Sequence, residues 1–507
     1  MSRPRIKLAA LALPLALGAC TMAPQPAPES SLTVPGGWRT PAPAAGAPAV
    51  AARDAGANPA PGVIERDWWR SFGDPALDAL VRRALDSNSD LRIARARLQE
   101  YAARIRVADS ARFPALNLSV GPTRARAIGP FGTPVESTSI AGTVQASYEL
   151  DLFGRVAGAV EAARFEQLSQ QAALDAAALA VAANTASGYL NLLGLDAQLA
   201  LARATLASRE RSFELARHQF EVGYSSRLEM SQAEAELHAT AAAVPQLERQ
   251  IALQEQSLNL LLGASPGPVA RGADLLSLRE PVVTPGLPSE LLRRRPDIAQ
   301  AENAVAAADT SLAVARSQLL PSIRLTASVG AAAHSLPDLL QSPTDLWSIG
   351  GSVLAPLFDA GRLRAQAEIA GTVRDRAIFT YESVVRTAFA ETDNALASID
   401  GLHRQLVEAE ARRVAANEVL RVARNRYANG YASYLEELDA QRTAFTADVN
   451  SLQLRASLLA AHVDLYRALG GGWTPASGVA PAPGAAPASS TTPASGVQRQ
   501  LVIGQVK

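Results

Sequence analysis

The sequence predicts a mainly α-helical chain that also builds a membrane β-barrel: duplicated long helical hairpins, with four β-strands per chain that close as a twelve-stranded barrel only in a trimer. Three observations predict it. The chain repeats itself at one fixed offset, apolar residues recur every seven positions, and short segments alternate apolar with polar residues.

Self-similarity bears on every later assignment, so it comes first. VGYSSRLE at 222–229 returns as NGYASYLE at 429–436, 207 residues further on. The same offset lays Asp90 on Asp297, Pro114 on Pro321, Gly154-Arg155 on Gly361-Arg362, Gly194 on Gly401 and Gly263 on Gly470. Chance supplies a few matches, but hardly glycines, prolines and a seven-residue phrase in one register. The chain is an internal duplication. The predicted organisation is a signal peptide over 1–19, a lipid-anchored Pro/Ala-rich tether over 20–62, a first repeat over 63–270 with its tip near 223, and a linker over 271–287. A second repeat over 288–473 has its tip near 430, and a low-complexity tail follows over 474–507.

The ends carry addresses rather than fold. Arg3, Arg5 and Lys7 precede an apolar run from Leu8 to Leu17, the pattern of a secretory signal and too short for a membrane anchor. Leu17-Gly18-Ala19-Cys20 looks like a bacterial lipobox, which implies cleavage before Cys20 and its acylation; an ordinary signal peptide with an incidental cysteine is the competing reading. Cys20 is the only cysteine, so no intrachain disulfide forms. Residues 23–62 are too poor in bulky apolar side chains to pack, and no run of about 20 apolar residues remains for a membrane helix.

Composition excludes other classes. Lysine plus arginine equals aspartate plus glutamate at 48 each, so no net charge points to nucleic acid. Aromatics make up 5% and alanine abounds, which suits tightly packed helices.

Each long helix is legible in turn. No proline falls between Gly154 and Pro245, or between Pro356 and Pro475. Leu192, Leu199, Leu206, Phe213 and Phe220 recur every seven residues, matched by Ile399, Leu406, Arg413, Leu420 and Tyr427. A seven-residue period means coiled-coil packing, and the flanking alanines let backbones approach. A helix over 155–221 is about 100 Å long at 1.5 Å per residue. A second stripe follows each repeated phrase: Leu237, Val244, Ile251 and Leu258, then Leu438, Phe445, Leu452, Leu459 and Tyr466. The phrases are therefore helix-to-helix turns. Gly223 and Gly430 end one helix in the left-handed region, and the boxes beginning at Ser226 and Ser433 start the next, with Glu229 and Glu436 three residues on.

At the other end the period falls to two. Ile140, Val144, Ala146, Tyr148 and Leu150 share one face, with Thr143, Gln145, Ser147 and Glu149 on the other. Residues 347–357 give a weaker version, with Trp347, Ile349, Val353 and Leu357 on one side, and 116–120 and 323–329 alternate likewise. That is the signature of outer-membrane barrel strands, although a half-buried soluble sheet looks alike strand by strand. Four strands cannot close a barrel and open edges do not survive in lipid, so three chains are needed. The five histidines are scattered, and no nucleotide loop, nucleophile elbow or metal-spaced pair is present. No cofactor and no metal are expected.

With these residues in view, the chain resembles the outer membrane factor family, the TolC-like exit ducts, and its lipoprotein branch associated with resistance-nodulation-division efflux systems. The resemblance spans about 65–473 and rests on the duplication, on ELDLFGR (149–155) with its counterpart PLFDAGR (356–362), and on the two GYxSxLE tips. It implies a homotrimer in the outer membrane, a coiled-coil tunnel through the periplasm, and docking to a periplasmic adaptor that joins an inner-membrane pump. The docking tips are then Gly223, Tyr224 and Ser226 with Gly430, Tyr431 and Ser433. The resemblance further implies an aperture narrowed by Leu435, ringed by Glu436 and Asp439, and held shut by a tie of Tyr427 to Glu229. Ala432 stands where some relatives have a latching arginine, so that latch is missing. Type I protein secretion shares the architecture, and a periplasmic coiled-coil structural lipoprotein is the reading from a different class; the amphipathic strands and Cys20 speak against the scaffold.

Overall fold

The computed structural model describes residues 27–28, 32–40 and 64–474. Cys20 and residues 475–507 lie outside these. The first repeat runs α1 (Pro75–Ser87), α2 (Ser89–Ser110), β1 (Ala115–Ile128), β2 (Pro134–Leu150), α3 (Arg155–Glu221) and α4 (Arg227–Leu261). The second runs α5 (Pro288–Arg294), α6 (Pro296–Ser317), β3 (Ser322–Ala333), a short α7 (Leu336–Gln341), β4 (Thr344–Leu354), α8 (Arg362–Ala428) and α9 (Tyr434–Ala468). Helices α3 and α8 have 67 residues each, about 100 Å of continuous rod. Each starts against a carboxylate that accepts two backbone N–H groups of its first turn. Asp151 takes Val156 and Ala157 at 3.1 and 2.7 Å, and Asp359 takes Gly361 and Leu363 at 3.1 and 2.9 Å.

The rods pack side by side in a layer. Below the middle of the molecule α3 lies against α4 and α9, and α9 against α8, giving the order α4–α3–α9–α8. Above it, α6 takes the place of α9 and α2 that of α4. Alanine governs the closest contacts: Ala202, Ala216, Ala409, Ala416, Ala423, Ala444 and Ala447 are all buried. The larger stripe residues Leu206, Phe213 and Leu420 are only half-buried in the single chain. Helix backbones can approach only where a methyl group separates them.

Helix α3 contains a stretch long and apolar enough to cross a bilayer, contrary to the expectation that none remained. Half of that stretch is buried against protein, because alanine raises apolarity without bulk. The main core sits at mid-height, where Trp68, Phe72, Leu77, Leu190, Leu192 and Leu258 interlock. Buried Asp74 accepts the Tyr189 hydroxyl at 2.6 Å and the Ala76 and Ala273 N–H groups at 2.8 and 3.1 Å, and it is thereby satisfied.

Part of the supposed tether packs. Trp38 donates through Nε1 to the Gly286 carbonyl at 2.8 Å and meets Phe389 edge-on, while Arg39 N–H reaches Asp393 Oδ1 at 3.0 Å. Leu32 joins the same cluster. Two bulky residues are enough to pin residues 32–40 to the second repeat.

The four strands form one antiparallel sheet in the order β1-β2-β3-β4, and their register sorts the faces. Leu118 lies opposite Val144, Val144 opposite Val329, and Val329 opposite Trp347. On the other face Asn117, Gln145, Ser328 and Ser348 form a row. Ser119 and Thr143 share a hydrogen bond at 2.9 Å there, and Ser328 and Ser348 one at 2.8 Å. Between the rows of Leu150 and Ile140 this face is apolar but for the Tyr148 hydroxyl and Asp345 of β4, which lies opposite Ala331, and most of it is exposed in the chain. From Leu150 to Ile140 that band spans ten residue steps, about 25 Å once strand tilt is allowed for, which matches a barrel's lipid-facing belt. Strands β1 and β2 run eight and six residues past the alternating segments, into stretches that place Arg124, Arg126, Glu136 and Thr138 on the otherwise apolar face and so carried no period-two signal. β4 stops at Leu354, so Leu357 falls outside it: Pro356 has no N–H to donate to a ladder.

Candidate functional site

Both tips are built by the same backbone chemistry. Gly223 and Gly430 hold φ of 79° and 75°, a region closed to most side chains. This turns the chain so that Tyr224 N–H reaches the Gln219 carbonyl at 2.7 Å and Tyr431 N–H the Arg426 carbonyl at 2.8 Å. Those six-to-one bonds, with Gly223 to Phe220 and Gly430 to Tyr427 at 2.9 Å each, make two Schellman motifs. Tyr224 and Tyr431 stand exposed beyond them.

The helix starts differ. Ser226 caps α4 as expected, its Oγ accepting the Glu229 N–H at 3.3 Å. Ser433 makes no side-chain cap to α9, which corrects the expected second capping box. Its Glu436 pairs with Arg426 instead, at 3.1 Å. The reason lies in the next residue: Tyr434 is buried and stacks edge-on to Tyr427 with centroids 5.6 Å apart, so packing rather than a cap fixes the start of α9.

The expected tie also changes partner. Tyr427 donates its hydroxyl to Gln219 Oε1 at 2.8 Å, one turn before the first tip. Glu229 contributes as a neighbouring charge: burial first, then Glu229, pushes the Tyr427 phenol up to about 12. Leu435, Glu436 and Asp439 are exposed. With Glu436 paired to Arg426, Asp439 is the acid with no ion-pair partner among the described residues. Asp448 and Arg455 of α9 lie toward the linker, where Leu276 shares a groove with Asp448, and Arg455 donates to the Leu278 carbonyl at 2.9 Å. Asp439 precedes them by nine and sixteen residues, about half a turn out of phase with both, so it points from the opposite side of the layer.

Two turns above the tip lies a polar cluster that the sequence did not reveal. Buried Arg209 of α3 donates to Gln441 of α9 and lies 3.6 Å from Glu236 of α4. Gln441 donates to buried Glu437 at 2.6 Å, Arg424 of α8 approaches Glu437 at 3.6 Å, and Arg442 binds Glu236. Burial holds the Glu437 carboxyl above its ordinary value and the Arg209 guanidinium below its own. The Tyr434 hydroxyl and Arg209 Nε have no hydrogen bond among the described residues. Four helices supply these groups from positions some 200 residues apart, so no local pattern announces them. His218 and His238 are exposed, as expected for long helices, whereas His462 is buried and lies 3.8 Å from Glu280.

A sheet with one polar and one apolar face, two open edges and a belt of bilayer height, set on 100 Å hairpins, defines a class: the subunit of an outer-membrane barrel-and-tunnel channel. A model of the outer membrane efflux protein family matches residues 80–264 and 287–471, and the chain belongs to that family. It is 34% identical over 469 residues to the pyoverdine export outer membrane protein OpmQ of Pseudomonas aeruginosa, covering 90% of this chain and 95% of OpmQ. It is 36% identical over 413 residues to the toluene efflux pump outer membrane protein TtgF of Pseudomonas putida, covering 81% and 86%. The open state of the Neisseria gonorrhoeae MtrE outer membrane channel superposes with a TM-score of 0.77 at 30% identity, covering 89% of this chain and 98% of MtrE. The chain is thus an outer-membrane component of an efflux system.

Proposed function

We propose that the chain is the passive, homotrimeric exit duct of a tripartite efflux assembly, docking at its tips to a periplasmic adaptor and through it to an inner-membrane resistance-nodulation-division pump. The observation that carries the reading is the sheet, whose apolar face suits lipid, whose polar face suits water, and whose edge strands β1 and β4 lack partners among the described residues. Three copies remove every edge. The helical layer argues likewise, because α4 and α8 at its margins each have one flank open. Acylation of Cys20 adds a lipid anchor at the N-terminus. Gly223, Tyr224, Ser226, Gly430, Tyr431 and Ser433 form the adaptor-facing surface, and Asp439, on the side of the layer away from the linker, lines the aperture with Leu435 and Glu436. No catalytic residue is assigned, since the energy for export is supplied by the partners.

Three carboxylates at one narrow mouth concentrate cations there. The trimer, identified by mass in detergent and placed in planar bilayers, is expected to prefer cations and to be blocked by a trivalent cation from the periplasmic side. Asp439→Ala is expected to weaken both effects more than Glu436→Gln, because Arg426 already neutralises Glu436. A conducting monomer would overturn the barrel argument, and unchanged block in Asp439→Ala would remove that residue from the aperture.

A further inference from the structure

The polar face of the sheet is nearly free of charge. Along its four strands the inward positions are serine, threonine, asparagine, glutamine, glycine, alanine and a few apolar residues, with two exceptions in the same row. Glu149 of β2 lies directly opposite Arg324 of β3, and Arg324 opposite Ser352 of β4. This row lies within two residues of the ends of β2, β3 and β4, close to where the long helices begin.

The carboxylates at this junction are engaged. Arg155 holds Glu149 in a two-pronged pair at 2.8 and 2.7 Å, and Asp151 and Asp359 are occupied by the N-terminal N–H groups of α3 and α8. The two helix N-termini add their positive dipole ends. Arg324 has no hydrogen bond or ion pair among the described residues, and Arg362 makes one long contact, to Gln366 at 3.4 Å. A cavity of about 460 Å³ opens at this level, lined by Arg155, Arg324, Arg362, Ser322 and Gln318 among others.

We propose that this junction is a binding collar for anionic groups, carboxylate, phosphate or sulfonate, on solutes passing through the barrel, with Arg324 and Arg362 as the side chains that receive them. Guanidinium offers a planar fork of donors matched to such oxyanions. The collar rests on the duct reading above, in which three copies surround one lumen. It gives the channel two selective zones of opposite sign: acids at the periplasmic mouth, arginines at the barrel base.

Tripolyphosphate added to the extracellular chamber tests the collar on the full-length trimer in phosphatidylcholine bilayers. At about 0.1 M salt the wild type is expected to be blocked, and Arg324→Ser to need on the order of tenfold more polyanion. Arg324→Lys is expected to keep most of the block, and about 1 M salt to abolish it, since the screening length falls to about 3 Å. Trivalent-cation block from the periplasmic side is expected to be the same in Arg324→Ser and wild type, which also shows that the variant assembles. Equal polyphosphate block in wild type and Arg324→Ser, or none in the wild type, would overturn the collar. Block that depends on adding anionic lipid to the bilayer would overturn it too, by placing the site on the lipid side. A wild type that does not conduct or is not trimeric would instead overturn the duct reading.

Discussion

The two tips repeat one phrase, yet they sit in different surroundings. Both turn on a left-handed glycine and the same six-to-one bond. After the turn they part. Arg227 opens α4 in the open, while Tyr434, its counterpart 207 residues on, is buried among Phe213, Ala216 and Ala233 of the first hairpin. The cause is position in the layer: α9 lies between α3 and α8, whereas α4 is a margin. A duplicated sequence fixes the turn, but neighbours fix the burial. The second tip is held by packing, and the first by a cap.

That contrast can be broken most severely at Tyr434. Tyr434→Ala is expected to cost about 3–5 kcal/mol, the range for a large buried aromatic. Arg227→Ala is expected to stay within about 0.5 kcal/mol, as for an exposed residue. Hydrogen exchange of the tip amides in the trimer measures both, and equal protection loss in the two variants would erase the distinction.

A middle-sized effect sharpens it through pH. The folded pKa of Glu437 is raised above the ordinary 4.5, chiefly by burial, so its protonated form is favoured in the native tip. The stability it contributes is complete below pH 4.5 and is lost as pH climbs through the raised value. Protection of the α9 tip is therefore expected to fall as pH rises above the ordinary 4.5 and through the raised value, and to become flat in Glu437→Gln, while the α4 tip, with Met230 at the matching position, shows no such change. A pH response that survives in Glu437→Gln would assign it to another group.

The smallest effect separates the caps. Ser226→Ala is expected to loosen the start of α4 by about 1 kcal/mol, and Ser433→Ala to loosen α9 by clearly less, since only Ser226 accepts a cap bond. Equal losses, read by hydrogen exchange of the first helical turn, would restore a working second box.

Much of this molecule is legible in its sequence wherever the deciding physics is local. The limits of α3 and α8 followed from Gly154, Gly223, Gly361 and Gly430 and from the unbroken helical run between them. The two-faced sheet followed from strict alternation in β2. What stayed hidden was decided at a distance. The Arg209–Gln441–Glu437 cluster joins residues more than 200 positions apart, and the Tyr427 hydroxyl bonds Gln219, in the helix before the first tip, rather than Glu229 in the helix after it. Trp38 sits in a stretch whose composition is too poor in bulky apolar side chains to predict packing, although a single aromatic with a receptive carbonyl is enough to dock a segment.

The unpaired β1 and β4 bear on the life of the chain before assembly. A newly exported subunit carries two rows of free N–H and C=O groups and a wide apolar sheet face, a template for the wrong neighbour as much as for the right one. Its hairpins hold their own local contacts, but in the proposed trimer the sheet gains its last partners only when three chains meet. On that reading maturation is a concentration-dependent race between closure and aggregation, and anything that covers those edges until closure favours the channel.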